Sequence, residues 1–170
     1  MIENLEQIQI VFIIMSMIVS AIIVGFLAGL FGIGGGLITV PVLFYIFNYI
    51  GFNQSFIMHL AVGTSFAIII PTSISSIITH MKYKAVDFDV VKSFGVFLVL
   101  GVIFGTIYAA NLKTASLILF FSIMTMIFSL FFLIFKEKIN VTKKKINLLV
   151  KILSGFTSGF LSAPMGIGGG

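Results

Sequence analysis

The sequence predicts an all-α polytopic membrane protein, and its composition and charge pattern carry this prediction. Hydrophobic residues make up 59% of the 170 residues and charged residues 9%, whereas about a quarter of an ordinary soluble domain is charged. Residues 7–81 contain no Asp, Glu, Lys or Arg, and neither do residues 93–112, 114–135 and 152–170. Uncharged apolar runs of about 18 residues or more are typical of membrane-spanning helices.

Charged and turn residues divide the chain into six apolar segments. The first run is too long for a signal peptide and follows the acidic start MIENLEQ rather than a basic one. A glycine cluster ends it, NYIGFNQS ends the second segment, and MKYKAVDFD, NLKT and KEKINVTKKK separate the others. The segments are residues 8–31, 37–50, 56–80, 90–110, 115–135 and 146–164.

The second segment is short for a membrane span. Its 14 residues (37–50) would cover only about 21 Å of a hydrocarbon core about 30 Å thick. It either includes extended glycine backbone in its crossing or re-enters without crossing. We favour the crossing, because it also places the acidic N-terminus outside.

Lysine placement predicts the orientation of the chain. Two basic loops are separated by two spans, so they lie on one side of the membrane, which we expect to be the cytoplasmic side. The N-terminal tail carries Glu3 and Glu6 and no base. The net charge of +5 is therefore explained by loop lysines that orient the chain in the membrane. We expect the lipid bilayer as a partner and no binding of nucleic acid. The loop lysines are Lys82, Lys84 and Lys92, and Lys136, Lys138, Lys143, Lys144, Lys145 and Lys151.

A glycine motif occurs twice in matching surroundings. Aligning GFLAGLFGIGGG with GFLSAPMGIGGG pairs Gly25 with Gly159 and residues 32–36 with residues 166–170. We interpret the chain as an internal duplication, with residues 1–145 as a first repeat and residues 146–170 as the start of a second. The chain is therefore expected to be a fragment. If residues 37–50 cross the membrane, the repeats are inverted, a common plan in transporters whose helices break near the midplane.

Four motifs carry a family resemblance. AGLFGIGGGLITVPVL, HLAVGTSFA, THMKYKAVDF and the second GIGGG resemble, in this order, the TauE/SafE family of sulfite exporters. The resemblance implies a multi-pass secondary carrier of the inner membrane that moves sulfite, sulfoacetate or related organosulfonate anions. It also implies a chain about half as long again.

The glycine cluster at residues 32–36 is the first candidate site. Glycine permits unusual backbone angles and close approach, so the cluster would break the helix and expose backbone N–H groups. Thr39 is expected to be the N-cap of the next helix and Pro41 to lie in its first turn. The positive end of that helix would bind an oxyanion without a charged side chain. The alternative is helix packing, which we prefer for the pairs Gly25/Gly29, Gly101/Gly105 and Gly155/Gly159.

The third segment is rich in hydroxyl side chains. Ser65, Thr72, Ser76 and Thr79 fall on one helical face, either as a path for an anion or as partners of backbone carbonyls. The second interpretation is preferred for Ser73, Ser75 and Ser76, whereas Thr64 and Ser65 are kept as site candidates. His59 and His80 are expected at the two membrane interfaces, with a smaller chance of gating anion entry.

The sequence predicts no enzyme, no cofactor and no metal site. It contains no cysteine, and Ser65 and His80 would lie about 22 Å apart on one helix, which argues against a hydrolytic dyad. A non-transporting membrane scaffold or partner subunit is the main alternative to a carrier, and an anion channel is a further one. The predicted substrate-binding residues are Gly32, Gly34, Gly35, Gly36, Thr39, Thr64, Ser65, Gly166, Gly168, Gly169 and Gly170.

Overall fold

The structure, a computed structural model, describes residues 7–31, 35–84, 86, 88–134 and 148–168. None of these residues lies in a β-strand, and the predicted segment boundaries agree with the observed helices to within about two residues, as expected for helix ends. The all-α prediction is confirmed. The six helices in the described part of the chain are α1 (Gln7–Phe31), α2 (Gly36–Ile50), α3 (Ile57–Lys82), α4 (Phe88–Ala110), α5 (Thr114–Ile134) and α6 (Leu148–Met165).

Five of the described helices are long and apolar enough to cross a membrane, judged by length and composition. They are α1, α3, α4, α5 and α6, which confirms a polytopic membrane protein. The α2 helix has 15 residues and rises only about 22 Å. Whether α2 crosses the membrane stays a prediction. The N-terminal tail and the second basic loop lie outside the described residues.

The chain divides into two compact units. The first contains α1, α2 and α3 together with the residues that follow Pro164. In it, α2 and α3 form a hairpin whose turn begins at Gly51, with φ +83°, a left-handed conformation that glycine adopts readily. The packed faces bury Val40 and Leu43 of α2 and Ala61 and Val62 of α3.

The second unit contains α4, α5 and α6 as far as Pro164. Glycines bring α4 and α6 close together: a methyl group added at Gly101 would overlap the carbonyl oxygen of Phe156, and one at Gly159 would overlap that of Leu98. This confirms the packing predicted for the glycine pairs of α4 and α6. Aromatic rings flank the contact, with centroids 5.9 Å apart for Phe104 and Phe156.

A cleft bounded by the two glycine motifs

The first unit contains a cleft of about 810 Å³ lined by all three of its helices. Its walls run from Met17 to Gly29 on α1 and from Gly35 to Ile46 on α2. The α3 wall runs from Ser65 to His80, and Gly168 completes the described lining. Among the residues that the structure describes, no Asp, Glu, Lys or Arg lines it. Within this described lining, the groups that could hold an anion are backbone dipoles, hydroxyls and an imidazole.

The start of α2 opens into this cleft. Gly35 is the N-cap, with φ −57° and ψ −24°, and no side chain caps the helix. The Gly35 carbonyl accepts hydrogen bonds from the N–H groups of Ile38 (3.2 Å) and Thr39 (2.8 Å). The N–H groups of the two residues before them have no acceptor within a helix. The positive end of the helix dipole and two backbone donors therefore lie beside Gly35, which lines the cleft.

This arrangement corrects the prediction for Thr39. Thr39 is not the N-cap, because α2 begins at Gly36, and its hydroxyl donates a hydrogen bond of 2.7 Å back to the Gly35 carbonyl. This hydrogen bond fixes the position of the Gly35 carbonyl. Pro41 is also misplaced by the prediction: it lies in the helix interior and leaves the Leu37 carbonyl without its helical N–H partner.

The second glycine motif meets the first beside the cleft. The α6 helix ends at Met165, and Gly166 follows with φ +62°, a conformation that residues with a Cβ atom rarely adopt. A methyl group added at Gly36 would overlap the Gly166 carbonyl oxygen. The α1 and α6 helices end at Phe31 and Met165, positions that the repeat alignment pairs. The duplication itself stays a prediction.

Ser65 closes this junction from α3. Its side chain is 1% exposed, and its hydroxyl donates a hydrogen bond of 2.8 Å to the Gly166 carbonyl. A Cβ atom at Gly166 would lie 2.8 Å from Val40 Cγ2 and 3.3 Å from Ser65 Cβ. The structure also places Gly168 in the cleft wall. It thus brings together five other predicted site residues: Gly35, Gly36, Thr39, Ser65 and Gly166.

Among the described site candidates, Thr64 is not brought to the cleft. Thr64 borders a shallow depression on another face of α3, together with His59 and Gly63. Consecutive residues of a helix point about 100° apart, so Thr64 and Ser65 face different surroundings. The predicted site residues Gly32, Gly34, Gly169 and Gly170 lie outside the described residues.

Several cleft residues differ from the sequence interpretation. Gly25 and Gly29 were expected to pack against a helix, yet an added methyl group would meet nothing within 4 Å in the described structure. Both line the cleft, so within the described part of the chain this pair does not pack against another helix as predicted. Ser73 donates a hydrogen bond to the Ile70 carbonyl as predicted and also lines the cleft. Ser76, interpreted in the same way, lines the cleft without such a bond to another described residue. Thr79 was predicted to share a helical face with Ser65, Thr72 and Ser76, but it does not line the cleft. His80 does line it, and its spacing of four residues from Ser76 would have identified it.

Comparison with known proteins identifies the family to which the chain belongs. The profile of the family described as Sulfite exporter TauE/SafE matches residues 17–170. A probable membrane transporter protein of Haemophilus influenzae is 33% identical over 94% of this chain and 60% of its own length. One of Methanocaldococcus jannaschii is 33% identical over 91% of this chain and 57% of its own length. The probable membrane transporter protein YunE of Bacillus subtilis is 36% identical over 42% of this chain and 26% of its own length.

The chain thus spans about 60% of the length of the first two relatives. No solved structure matches it significantly. Since the family profile covers nearly the whole chain, this chain belongs to the TauE/SafE family.

Proposed function

We propose that the chain is part of a secondary carrier that moves small sulfur-containing anions, such as sulfite, sulfoacetate or related organosulfonates, across the inner membrane. The observation that carries the proposal is the junction of the two glycine motifs at a cleft into which the start of α2 opens. The family description and the names of the relatives support transport. The basic loops are assigned to the cytoplasmic side.

The proposed binding chemistry uses the backbone. Backbone N–H groups of the first turn and the positive end of the α2 dipole would meet the anion beside Gly35, and the apolar cleft wall would strengthen these interactions by excluding water. Thr39 and Ser65 donate their hydroxyl hydrogens to glycine carbonyls, so they position the glycine backbone. Gly32, Gly34, Gly169 and Gly170 remain proposed members of the same site, whereas Thr64 does not.

Counterflow of labelled sulfite in liposomes that contain the natural-length protein tests this proposal. We expect saturable uptake by the unaltered protein and its loss in the Gly35→Leu variant, whose side chain would fill the cleft beside the start of α2. A Cβ atom at Gly35 would lie 3.5 Å from Thr39 Oγ1 and 3.9 Å from Ala28 Cβ, which are ordinary van der Waals contacts.

The matched control is Gly95→Leu on α4, where an added Cβ atom meets nothing within 4 Å. It should transport normally. Normal transport by the Gly35→Leu variant would overturn the proposed site. A folded protein without saturable uptake of sulfite or sulfoacetate would instead favour the scaffold alternative, in which the glycines only pack helices as they do between α4 and α6.

A further inference from the structure

The hydroxyl side chains of the cleft differ in whether their hydrogen is free. Five of them donate it to a backbone carbonyl: Ser20 to Ser16, Thr39 to Gly35, Ser65 to Gly166, Thr72 to Ile69 and Ser73 to Ile70, at 2.7–3.0 Å. A fully deprotonated oxyanion only accepts hydrogen bonds. A hydroxyl whose hydrogen is already donated therefore cannot bind an anion without breaking an existing bond.

Ser76 and His80 are the exceptions among the described cleft residues. Both line the cleft, and neither donates a hydrogen bond to another described residue. They lie four residues apart on α3, so their side chains occupy successive turns of one helical face. Ser76 offers an O–H group and the His80 imidazole at least one N–H group in either protonation state.

We propose that Ser76 and His80 form a second anion-binding subsite in the cleft. It begins about 16 Å along α3 from Ser65, so an anion held there does not occupy the glycine junction. A sulfite or sulfonate group has several acceptor oxygens and can accept from both donors at once. The subsite lies at the His80 end of the α3 wall, away from the start of α2. This inference rests on the proposed function, because it assumes an oxyanion as substrate.

The test is the concentration dependence of sulfite counterflow by variants of the natural-length protein. Ser76→Ala and His80→Leu each remove one charge-assisted hydrogen bond, so we expect the KM for sulfite to rise about tenfold while kcat changes little. Ser76→Thr and His80→Asn keep a donor and should keep most of the affinity.

Ser73→Ala is the matched control, because Ser73 lines the same cleft but donates its hydroxyl hydrogen to the Ile70 carbonyl. Its KM should be unchanged. Unchanged KM values in Ser76→Ala and His80→Leu, beside saturable uptake by the unaltered protein, would overturn the subsite and leave the carrier intact. An equal rise in Ser73→Ala would also overturn it. No saturable uptake or binding of sulfite and sulfoacetate by the unaltered protein would overturn the carrier and the subsite together.

Discussion

Ser65 illustrates how one hydroxyl can hold two distant parts of the sequence together. The Gly166 carbonyl that it binds lies 101 residues away along the chain, in a buried position. The left-handed φ of Gly166 turns the backbone out of α6 at this point, so the carbonyl needs a partner from another element. In the hydrophobic interior a backbone carbonyl without such a partner is costly.

Replacement of Ser65 by alanine should therefore reduce stability. Ser65→Ala leaves the Gly166 carbonyl without its donor, at a cost of about 1–2 kcal/mol, seen as a lower apparent Tm of the natural-length protein in detergent. Thr64→Val is the control, because Thr64 is a half-buried neighbour outside this junction and should change the Tm little. A Ser65→Ala protein as stable as the Thr64→Val protein would contradict the assigned role.

The residues of the site could be predicted only in part. The repeated motif predicted that glycines of both clusters bind substrate, but it did not predict that Gly36 meets Gly166. Thr39 was misassigned because a threonine near a helix start is a common N-cap, whereas the N-cap of α2 is Gly35, four residues earlier. Which hydroxyl hydrogens are free, as at Ser76, depends on rotamers and cannot be predicted from residue type.

At the scale of elements, the contact between α4 and α6 depends on small side chains. The glycines Gly101, Gly105, Gly155 and Gly159 let two backbones approach, and an added Cβ atom at Gly105 would lie 2.5 Å from the Phe160 carbonyl oxygen. Lys151 adds a polar contact, its Nζ atom lying 3.2 Å from Ser93 Oγ. Dispersion and close packing hold such helices together, because lipid tails are as apolar as the side chains they replace.

Alanine substitutions at two glycines of α4 distinguish the effect of helix packing on stability from the effect of helix propensity. Gly101→Ala places a methyl group against the Phe156 backbone and should destabilise the protein by about 1–3 kcal/mol, as overpacking does. Gly95→Ala on the same helix meets nothing within 4 Å, so the better helix propensity of alanine should leave stability unchanged or slightly raised. Apparent Tm values of the two variants in detergent measure the difference. Equal Tm values would show that α4 and α6 do not pack in this way.

The elements themselves were well predicted, and their contacts were not. Charge and turn residues mark where each apolar run must leave the membrane. The motif NLKT therefore predicts both the end of α4 and the start of α5. A pair of small residues four positions apart does not indicate which helix, if any, packs against it. Gly101/Gly105 and Gly25/Gly29 have the same spacing, yet the first pair packs against α6 and the second lines the cleft.

At the scale of the whole molecule, the direction in which α2 runs decides whether the two proposed repeats are inverted. The α3 helix is long enough to span, so the turn before it and the lysines after it lie on opposite sides. If α2 crosses, the N-terminus lies on the same side as the residues after Gly51. If α2 re-enters, the N-terminus lies on the other side.

Labelling of single introduced cysteines shows on which side of the membrane each segment lies, because the 170 residues contain no cysteine of their own. We expect Gln54→Cys and Asn111→Cys to react with a membrane-impermeant maleimide in intact cells, and Lys84→Cys to react only after permeabilisation, since basic loops stay cytoplasmic. Labelling of Glu3→Cys in intact cells would place the N-terminus outside and support a crossing by α2, as inverted repeats require. Protection of Glu3→Cys beside labelled Gln54→Cys would make α2 re-entrant and contradict the inverted repeat, because an even number of spans would then separate the two glycine motifs.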